Sequence, residues 1–295
     1  YRWSPDGDRV AFVADWKDTT DIYVMDRDGS NLLRVTDMVV AEKLGSWSPD
    51  GRWIVFTVST GDEAGIYIRN PDGVNTDPLT ENRDWGASWS PKGDNIAFFR
   101  NGEESTEIHI VEVETKRQMG LALQAHGNSS IAWSPDGTEI AVADQQDSRT
   151  MGYRSIVVVS ANDGTQTRTI AQESFLAFFW SPQGERLAWV GFDPAGKTFE
   201  WSIGEKSGES VKRLFKFQPA SDMVTMLSFF DQYAYSNSPW SPDGTRLVVA
   251  GTTGDAARPS NGHSATGDRI FVLDATGGSP PLDIAGGTLA FWSWN

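Results

Sequence analysis

Four carboxylates are the side chains of this sequence best placed to do chemistry. They stand at similar places in the chain, each a few residues before a recurring tryptophan motif: Glu42, Asp84, Glu173 and Asp231. Two carboxylates brought together can act as general acid and base, and a group of them can hold a cation. The chain carries a formal charge of −15, so acidic residues on a solvated surface explain the same pattern, and we favour that interpretation.

Other catalytic and metal-binding patterns are missing from the sequence. The three histidines, His109, His126 and His263, do not form a His-x-x-x-His pair, and no Gly-x-Ser-x-Gly nucleophile elbow occurs. The chain has no cysteine, so neither a disulfide framework nor thiol chemistry is available. We therefore predict no catalytic residue, no metal site and no cofactor, and we expect a protein that is not an enzyme.

The motif Trp-Ser-Pro-Asp-Gly organises the whole chain. It occurs six times, whole or with one change, because Lys92 and Gln183 replace the Asp in the third and fifth copies. Successive tryptophans are 42 to 60 residues apart, a period typical of repeat proteins. The copies begin at Trp3, Trp47, Trp89, Trp133, Trp180 and Trp240, and a shortened echo stands at Trp292.

Each motif is predicted to form a hairpin turn between two strands. Proline presets φ at about −65°, Ser or Asp hydrogen-bonds nearby backbone, and Gly takes the positive φ that closes the turn. A short apolar run follows every turn, then a polar loop, a second apolar run, another turn and a weaker strand. We name these strands a, which ends at the Trp, then b, c and d. Repeated four-stranded antiparallel units predict an all-β protein, a β-propeller of one domain spanning 1–295.

The first repeat resembles the TolB-type propeller repeat, a relative of the WD repeat. The similarity rests on the motif at 3–7, on Val10-Ala11-Phe12 and on Asp21-Ile22-Tyr23-Val24-Met25-Asp26, and it extends over essentially the whole chain. The resemblance implies the propeller fold and an envelope protein that assembles with partners. Similar repeats also occur in the propeller domains of prolyl-oligopeptidase-like and tricorn-like peptidases, so the fold alone does not fix an activity.

The ring is expected to have six blades and to be closed by the C-terminal strand, 286–295. Because Tyr1-Arg2 is short, we expect this tail to complete the first blade by pairing with Val10–Val13. Seven or eight blades, with the first part of the ring encoded upstream, stay open as an alternative.

Binding is expected at one end of the blades, which we call the loop face. It consists of the b–c loops at 15–20, 60–64, 101–106, 145–154, 193–198 and 252–268, together with the d–a crossovers. The opposite end, the turn face, holds the six motif turns. Candidate partner-binding residues on the loop face are Trp16, Lys43, Trp85, Phe229, Phe230, Tyr233 and Tyr235. Polar candidates at the channel mouth are Glu42, Arg83, Asp84, His126, Glu173, Asp231 and Gln232.

The long crossover at 219–238 has two interpretations. Phe229 and Phe230 could belong to a short helix or loop that plugs the channel, which we favour, or Tyr233 and Tyr235 could form an exposed aromatic ledge.

Composition limits the partners. A net charge of −15 repels nucleic acid and anionic lipid, so we expect a protein or peptide partner, and a contact with membranes that is peripheral at most. On the resemblance, a periplasmic or extracellular location is expected, with a signal or anchor upstream of residue 1. The leading hypothesis is a non-catalytic, TolB-like binding scaffold. The alternatives are the gating propeller of a peptidase, or a carbohydrate-active propeller that uses the channel carboxylates.

Overall fold

The computed structural model describes residues 1–16, 19–37, 42–103, 105–125, 129–145, 152–165, 167–193, 198–230, 238–253 and 267–292. The chain forms two compact units, residues 1–141 with 159–167 and residues 142–158 with 168–295. The prediction of a single domain over 1–295 stays a prediction. Within the described ranges, no helix has the length and apolar character needed to cross a bilayer.

The first four repeats each form a four-stranded antiparallel sheet with strands in chain order. The first contains β1 (Arg2–Trp3), β2 (Arg9–Trp16), β3 (Thr19–Asp26) and β4 (Leu33–Arg34). The second contains β5 (Glu42–Trp47), β6 (Ile54–Val58), β7 (Gly65–Arg69) and β8 (Thr76–Pro78). The third contains β9 (Trp85–Trp89), β10 (Asn95–Asn101), β11 (Thr106–Glu112) and β12 (Gln118–Ala125). The fourth contains β13 (Ser129–Trp133), β14 (Glu139–Asp144), β15 (Ser155–Ser160) and β16 (Arg168–Ala171).

The last two repeats share one seven-stranded sheet. It runs through β17 (Phe175–Trp180), β18 (Arg186–Asp193), β19 (Thr198–Glu205), β20 (Val211–Pro219), β21 (Arg246–Thr252), β22 (Arg269–Asp274) and β23 (Leu282–Gly286). Gln218 and Pro219 of β20 pair with Thr252 and Gly251 of β21, which joins the two repeats. Trp240 contributes a single bridge to Leu247 where the a strand of the sixth repeat was predicted.

The inner strands are buried and the outer strands are exposed. All residues of β6 and β17 are buried, whereas four of the five residues of β23 are exposed. A strand that is covered on both faces has a continuous run of apolar residues, and such runs made the b strands visible in the sequence. One helix, α1 (Ser221–Ser228), follows β20 and buries Met223, Met226 and Leu227.

The predicted role of the C-terminal tail is corrected. Arg2 and Trp3 pair with Ala11 and Val10, so β1 occupies the edge of β2 that the tail was expected to fill. Residues 287–292 contain no strand, and 293–295 lie outside the described residues. A short turn already holds β1 beside β2, so this pairing costs little loop-closure entropy.

The motif turns adopt the predicted geometry and add a side-chain bond. In four copies the Ser hydroxyl donates to the Asp two residues later, at 2.5 to 2.6 Å: Ser4 to Asp6, Ser48 to Asp50, Ser134 to Asp136 and Ser241 to Asp243. In the third copy Lys92 replaces that Asp, and Ser90 donates instead to Asp94 at 2.7 Å.

Motif tryptophans bond one repeat to the previous one. The indole Nε1 of Trp47 donates to the carbonyl oxygen of Arg2 at 3.1 Å, and Trp133 makes the same bond to Ser88. In the other unit, Trp240 donates to Phe179 at 3.2 Å. Every acceptor is the residue just before the preceding motif tryptophan, so the bond repeats with the sequence. The buried Trp89 is different, because its Nε1 has no partner among the described residues.

We expect Trp240→Phe to destabilise the protein more than Trp89→Phe. Both changes remove the same atoms from a buried site, but only the first removes a hydrogen bond between repeats, which contributes about 0.5–1.5 kcal/mol. Urea unfolding of the two variants and the parent chain measures the difference. Equal losses of unfolding free energy would contradict the assigned role of the indole bond.

We also expect the motif aspartates to contribute to acid resistance. Hydrogen bonds from the Ser241 hydroxyl, and then from Thr245, lower the pKa of Asp243 from 3.8 to about 2. A pKa lowered by folding adds stability above the unfolded value, and that stability is lost as the pH falls from 3.8 towards about 2.

Asp243→Asn should therefore lower the Tm at neutral pH by a few degrees. The Tm of this variant should also fall less steeply than that of the parent chain between pH 3.8 and about 2. Ser241→Ala, which removes the first donor, should act in the same direction. Thermal melts at a series of pH values measure both effects, and an acid limb as steep as that of the parent chain would refute the assignment.

Candidate functional site

A polar cavity of about 310 Å³ lies at the loop-face end of the fifth repeat. The crossover before β17 and strands β18, β19 and β20 supply its walls. Its lining residues are Glu173, Ser174, Gly191, Phe192, Thr198, Glu200, Ser202, Arg213 and Lys216. All of them belong to one of the two compact units.

A guanidinium group bridges the two carboxylates of this cavity. Arg213 Nη2 lies 3.1 Å from Glu173 Oε2, and its Nη1 lies 2.7 Å from Glu200 Oε2. The hydrogen bond to Glu200, together with the charge of Glu173, raises the pKa of Arg213 above its usual value. The fully buried Trp189 donates its indole N–H to Glu173 Oε1 at 2.6 Å. The orientation of Glu173 is thus fixed from two sides.

The remaining polar groups of the cavity are suited to recognition. Ser174 Oγ accepts a hydrogen bond from Arg154 Nη1 at 2.8 Å, which anchors the crossover to the neighbouring segment. Lys216 stands opposite Glu200 in the β19–β20 register and is exposed. Among the described residues its ammonium group has no ion-pair or hydrogen-bond partner. A ligand can therefore use Lys216 without breaking an existing bond.

The second predicted carboxylate, Asp84, is part of a buried ion pair in the other unit. Arg100 forms a two-pronged bond with it, Nε to Oδ1 at 2.8 Å and Nη2 to Oδ2 at 2.7 Å. Nη2 also donates to Gln118 at 2.9 Å, and the bond to Asp84 raises the pKa of Arg100. Asp84 is 1% exposed, so it is neither a solvated surface acid nor an open ligand. Its bond ties the crossover before β9 to the end of β10.

The predicted aromatic residues divide into buried and exposed positions. The Trp85 ring stacks on Phe99 with centroids 4.5 Å apart, and its indole N–H donates to Asn101 at 3.2 Å. Phe230 is buried in contact with Tyr153, Phe178 and Phe179, whereas Phe229, at the end of α1, is 50% exposed. The predicted short helix is confirmed, but the two phenylalanines do not act as one buried pair.

The structure does not bring the other sequence-predicted residues into one site. Lys43 and Arg83 are exposed. The backbones of Trp16 and Glu42 end β2 and begin β5, and their side chains are not described. Five predicted residues lie outside the described ranges: His126, Asp231, Gln232, Tyr233 and Tyr235. Across the described part of the chain, no three His, Asp or Glu side chains are grouped to hold a metal ion.

Sequence reasoning missed most of the residues around Glu173. Glu200, Arg213 and Lys216 lie on strands, where charges usually face solvent, and their proximity depends on strand register. One signal was available, because three basic residues stand within five positions, Lys212, Arg213 and Lys216, in a chain where acids outnumber bases by 40 to 25.

One known family matches the chain. The sequence profile of the TolB beta propeller domain matches residues 1–151, just over half of the 295 residues. The chain belongs to the TolB β-propeller family. Its four-stranded sheets are accordingly the blades of an all-β propeller, as the Trp-Ser-Pro-Asp-Gly repeats predicted.

Several solved structures share this fold. TolB from Acinetobacter baumannii is 18% identical, with 95% of this chain and 65% of that chain covered and a TM-score of 0.55. An oligogalacturonate lyase in complex with manganese is 13% identical over 97% of this chain and 76% of the lyase, with a TM-score of 0.66. A prolyl endopeptidase is 14% identical over 96% of this chain and 41% of the peptidase, with a TM-score of 0.60. At these identities the similarity establishes the fold only.

We expect Asp84→Asn and Arg100→Met each to destabilise the protein by about 3 kcal/mol, because each leaves one partner of a buried pair without its counter-charge. The double variant should be more stable than the sum of the two losses implies. Chemical denaturation of the four proteins gives the coupling energy. Additive losses would mean that the ion pair does not act as a unit.

Proposed function

We propose that this TolB-family propeller is a non-catalytic scaffold that binds a protein or peptide partner on its loop face. The cavity at the fifth blade is the centre of the proposed site. Arg213 and Glu200 fix its shape, while Lys216 and the hydroxyl group of Thr198 meet the partner.

One observation carries the proposal: each candidate acid whose side chain the structure describes is already bound to an arginine. Arg100 takes both oxygens of Asp84, and Arg213 joins Glu173 to Glu200. A general base must accept a proton from its substrate, and occupied lone pairs oppose that role. Fixed charges beside an open ammonium group and hydroxyl groups are better suited to binding than to proton transfer.

Charge and family membership support a particular kind of partner and location. The charge of −15 disfavours nucleic acid and anionic lipid surfaces. Membership of the TolB family supports a periplasmic or extracellular location, with any membrane contact through the partner.

Site-specific photocrosslinking tests this function. Benzoylphenylalanine placed at Thr198 or Lys216 should capture one or a few proteins from an envelope extract. The same probe at Glu209, in the turn at the far end of β19, is the matched control. Partner capture at Glu209, or no capture at either cavity position, would contradict the proposed surface.

Charge variants test the role of the cavity with the captured partner. Lys216→Glu should weaken binding about tenfold or more, since it removes a charged hydrogen bond to the partner worth about 1.5–3 kcal/mol. Arg213→Met should also weaken binding, because it releases Glu173 and Glu200 from their shared guanidinium. Lys212→Glu makes the same charge change on the same strand, where its Nζ binds the carbonyl oxygen of Thr276 outside the cavity. If Lys212→Glu weakens binding equally, the loss comes from the net charge of the protein and not from the cavity.

Two alternative functions have their own tests. Glu173 and Glu200 line a single cavity, which favours a carbohydrate-active propeller as the second candidate. Release of unsaturated products from oligogalacturonate, with and without manganese, would support it and displace the scaffold function. A hydrolase domain encoded next to this propeller in the gene would support the peptidase-gating alternative.

A further inference from the structure

The junction between the second and third repeats lacks an arginine bond that is present at two other junctions. Arg9 donates from Nη2 to the carbonyl oxygen of Gly51 at 3.3 Å, and its guanidinium lies 5.2 Å from the centre of the Trp47 ring. Arg186 repeats this arrangement at the last junction, with Gly244 at 2.7 Å and the Trp240 ring at 5.4 Å.

The arginine position varies among the repeats, because Asn95 and Glu139 stand there in the third and fourth copies. At the position of Arg9 and Arg186 the second repeat has Trp53, which cannot reach a carbonyl oxygen in the same way. The third turn has Lys92 where four of the other five copies have Asp. The indole N–H of Trp89 is also buried without a partner among the described residues.

A cavity of about 370 Å³ occupies this junction on the turn face. Trp53, Trp89, Pro49 and Val113 give it apolar walls, and Lys92 lines its edge. Lys92 is exposed, its stem passes Gly137 of the next turn, and its ammonium group has no ion-pair or hydrogen-bond partner in the described part of the chain.

The other charge of the cavity, Asp50, is already satisfied. Its Oδ1 accepts hydrogen bonds from Ser48 Oγ at 2.6 Å and from the backbone N–H of Arg52 at 3.0 Å. A shallower depression shares Trp53 and Asp50 with the cavity and adds Arg9, Arg52 and Asp72. Three cations and two carboxylates therefore surround Trp53, a positive excess in a chain of charge −15.

We propose that this cavity binds a carboxylate carried beside an aromatic or apolar group, as at the C-terminus of a peptide. Lys92 supplies the charged donor at the edge of the cavity. Trp53, Pro49 and Val113 cover the apolar group, because an aromatic surface next to a fixed cation suits such a ligand. The site is on the turn face and does not depend on the function proposed above.

The repeats themselves provide variants that should close the cavity without unfolding the protein. Trp53→Arg restores the residue that bridges two other junctions, and we expect it to stack on Trp89 and reach the carbonyl of Gly93. Lys92→Asp restores the motif residue found in most turns. Both variants should keep or raise the Tm while losing the ligand.

Indole NMR of the ¹⁵N-tryptophan-labelled protein tests the proposal. N-acetylphenylalanine should shift the Trp53 and Trp89 indole signals saturably, and each signal is assigned with a Phe variant. N-acetylphenylalanine amide, which lacks the charge, should bind at least about tenfold more weakly. An N-acetyl-Asp-Phe amide distinguishes a side-chain carboxylate from a terminal one, and we expect it to bind more weakly than the free acid.

The variants and one control complete the test. Trp53→Arg and Lys92→Asp should each weaken binding of the free acid about tenfold or more. Arg27→Asp, in another turn of the same unit, alters the charge equally and should leave binding unchanged. The proposal is overturned if millimolar free acid causes no saturable shift, if the amide binds equally, or if Lys92→Asp binds like the parent chain.

Discussion

Each four-stranded sheet of this protein must bury both faces, and a sheet cannot do so alone. Three motif tryptophans each donate an indole hydrogen bond to the strand that holds the preceding motif tryptophan, and these bonds join neighbouring sheets. A large ring fills the space between neighbouring sheets, and its single N–H finds a carbonyl oxygen on the neighbouring sheet. The motif turn, with its glycine and its Ser-to-Asp hydrogen bond, fixes the position of the tryptophan relative to the next strand. Spacing, turn chemistry and packing therefore all derive from one residue per repeat.

The sequence predicted those parts of the fold that depend on local chemistry. Turns were visible because Ser-Pro-Asp-Gly encodes its own geometry, and the inner strands because they are apolar throughout. Contacts that depend on pairing between distant segments were not visible. Nothing near Glu173 in the chain indicates Arg213, and Asp84 gives no sign of Arg100. The strand at Arg2 and Trp3 was not predicted because two residues seemed too few to form one. A short turn brings them to the edge of β2, so the pairing costs little loop-closure entropy.

Carboxylates in this propeller are used mainly to hold segments together. Asp84 fixes a crossover, Glu173 and Glu200 share one guanidinium, and the motif aspartates stabilise turns. An acidic chain can place many such groups near the proposed binding face without making any of them reactive. Cations are scarcer in this chain, and Lys216 and Lys92, which have no partner among the described residues, each line a cavity.

The pairing of β20 with β21 joins the last two repeats into one sheet, whereas each of the first four repeats forms a sheet of its own. Each of the first four sheets ends at its own outer strand, so a duplication or exchange of one such repeat would break no ladder between sheets. Gln218 and Pro219 instead pair with Thr252 and Gly251 across a repeat boundary, where the backbone N–H of Ala220 donates to the carbonyl oxygen of Ala250. Recombination that separated them would expose strand edges on both sides, a known route to aggregation. We therefore expect the fifth and sixth repeats to tolerate separation less well than the first four.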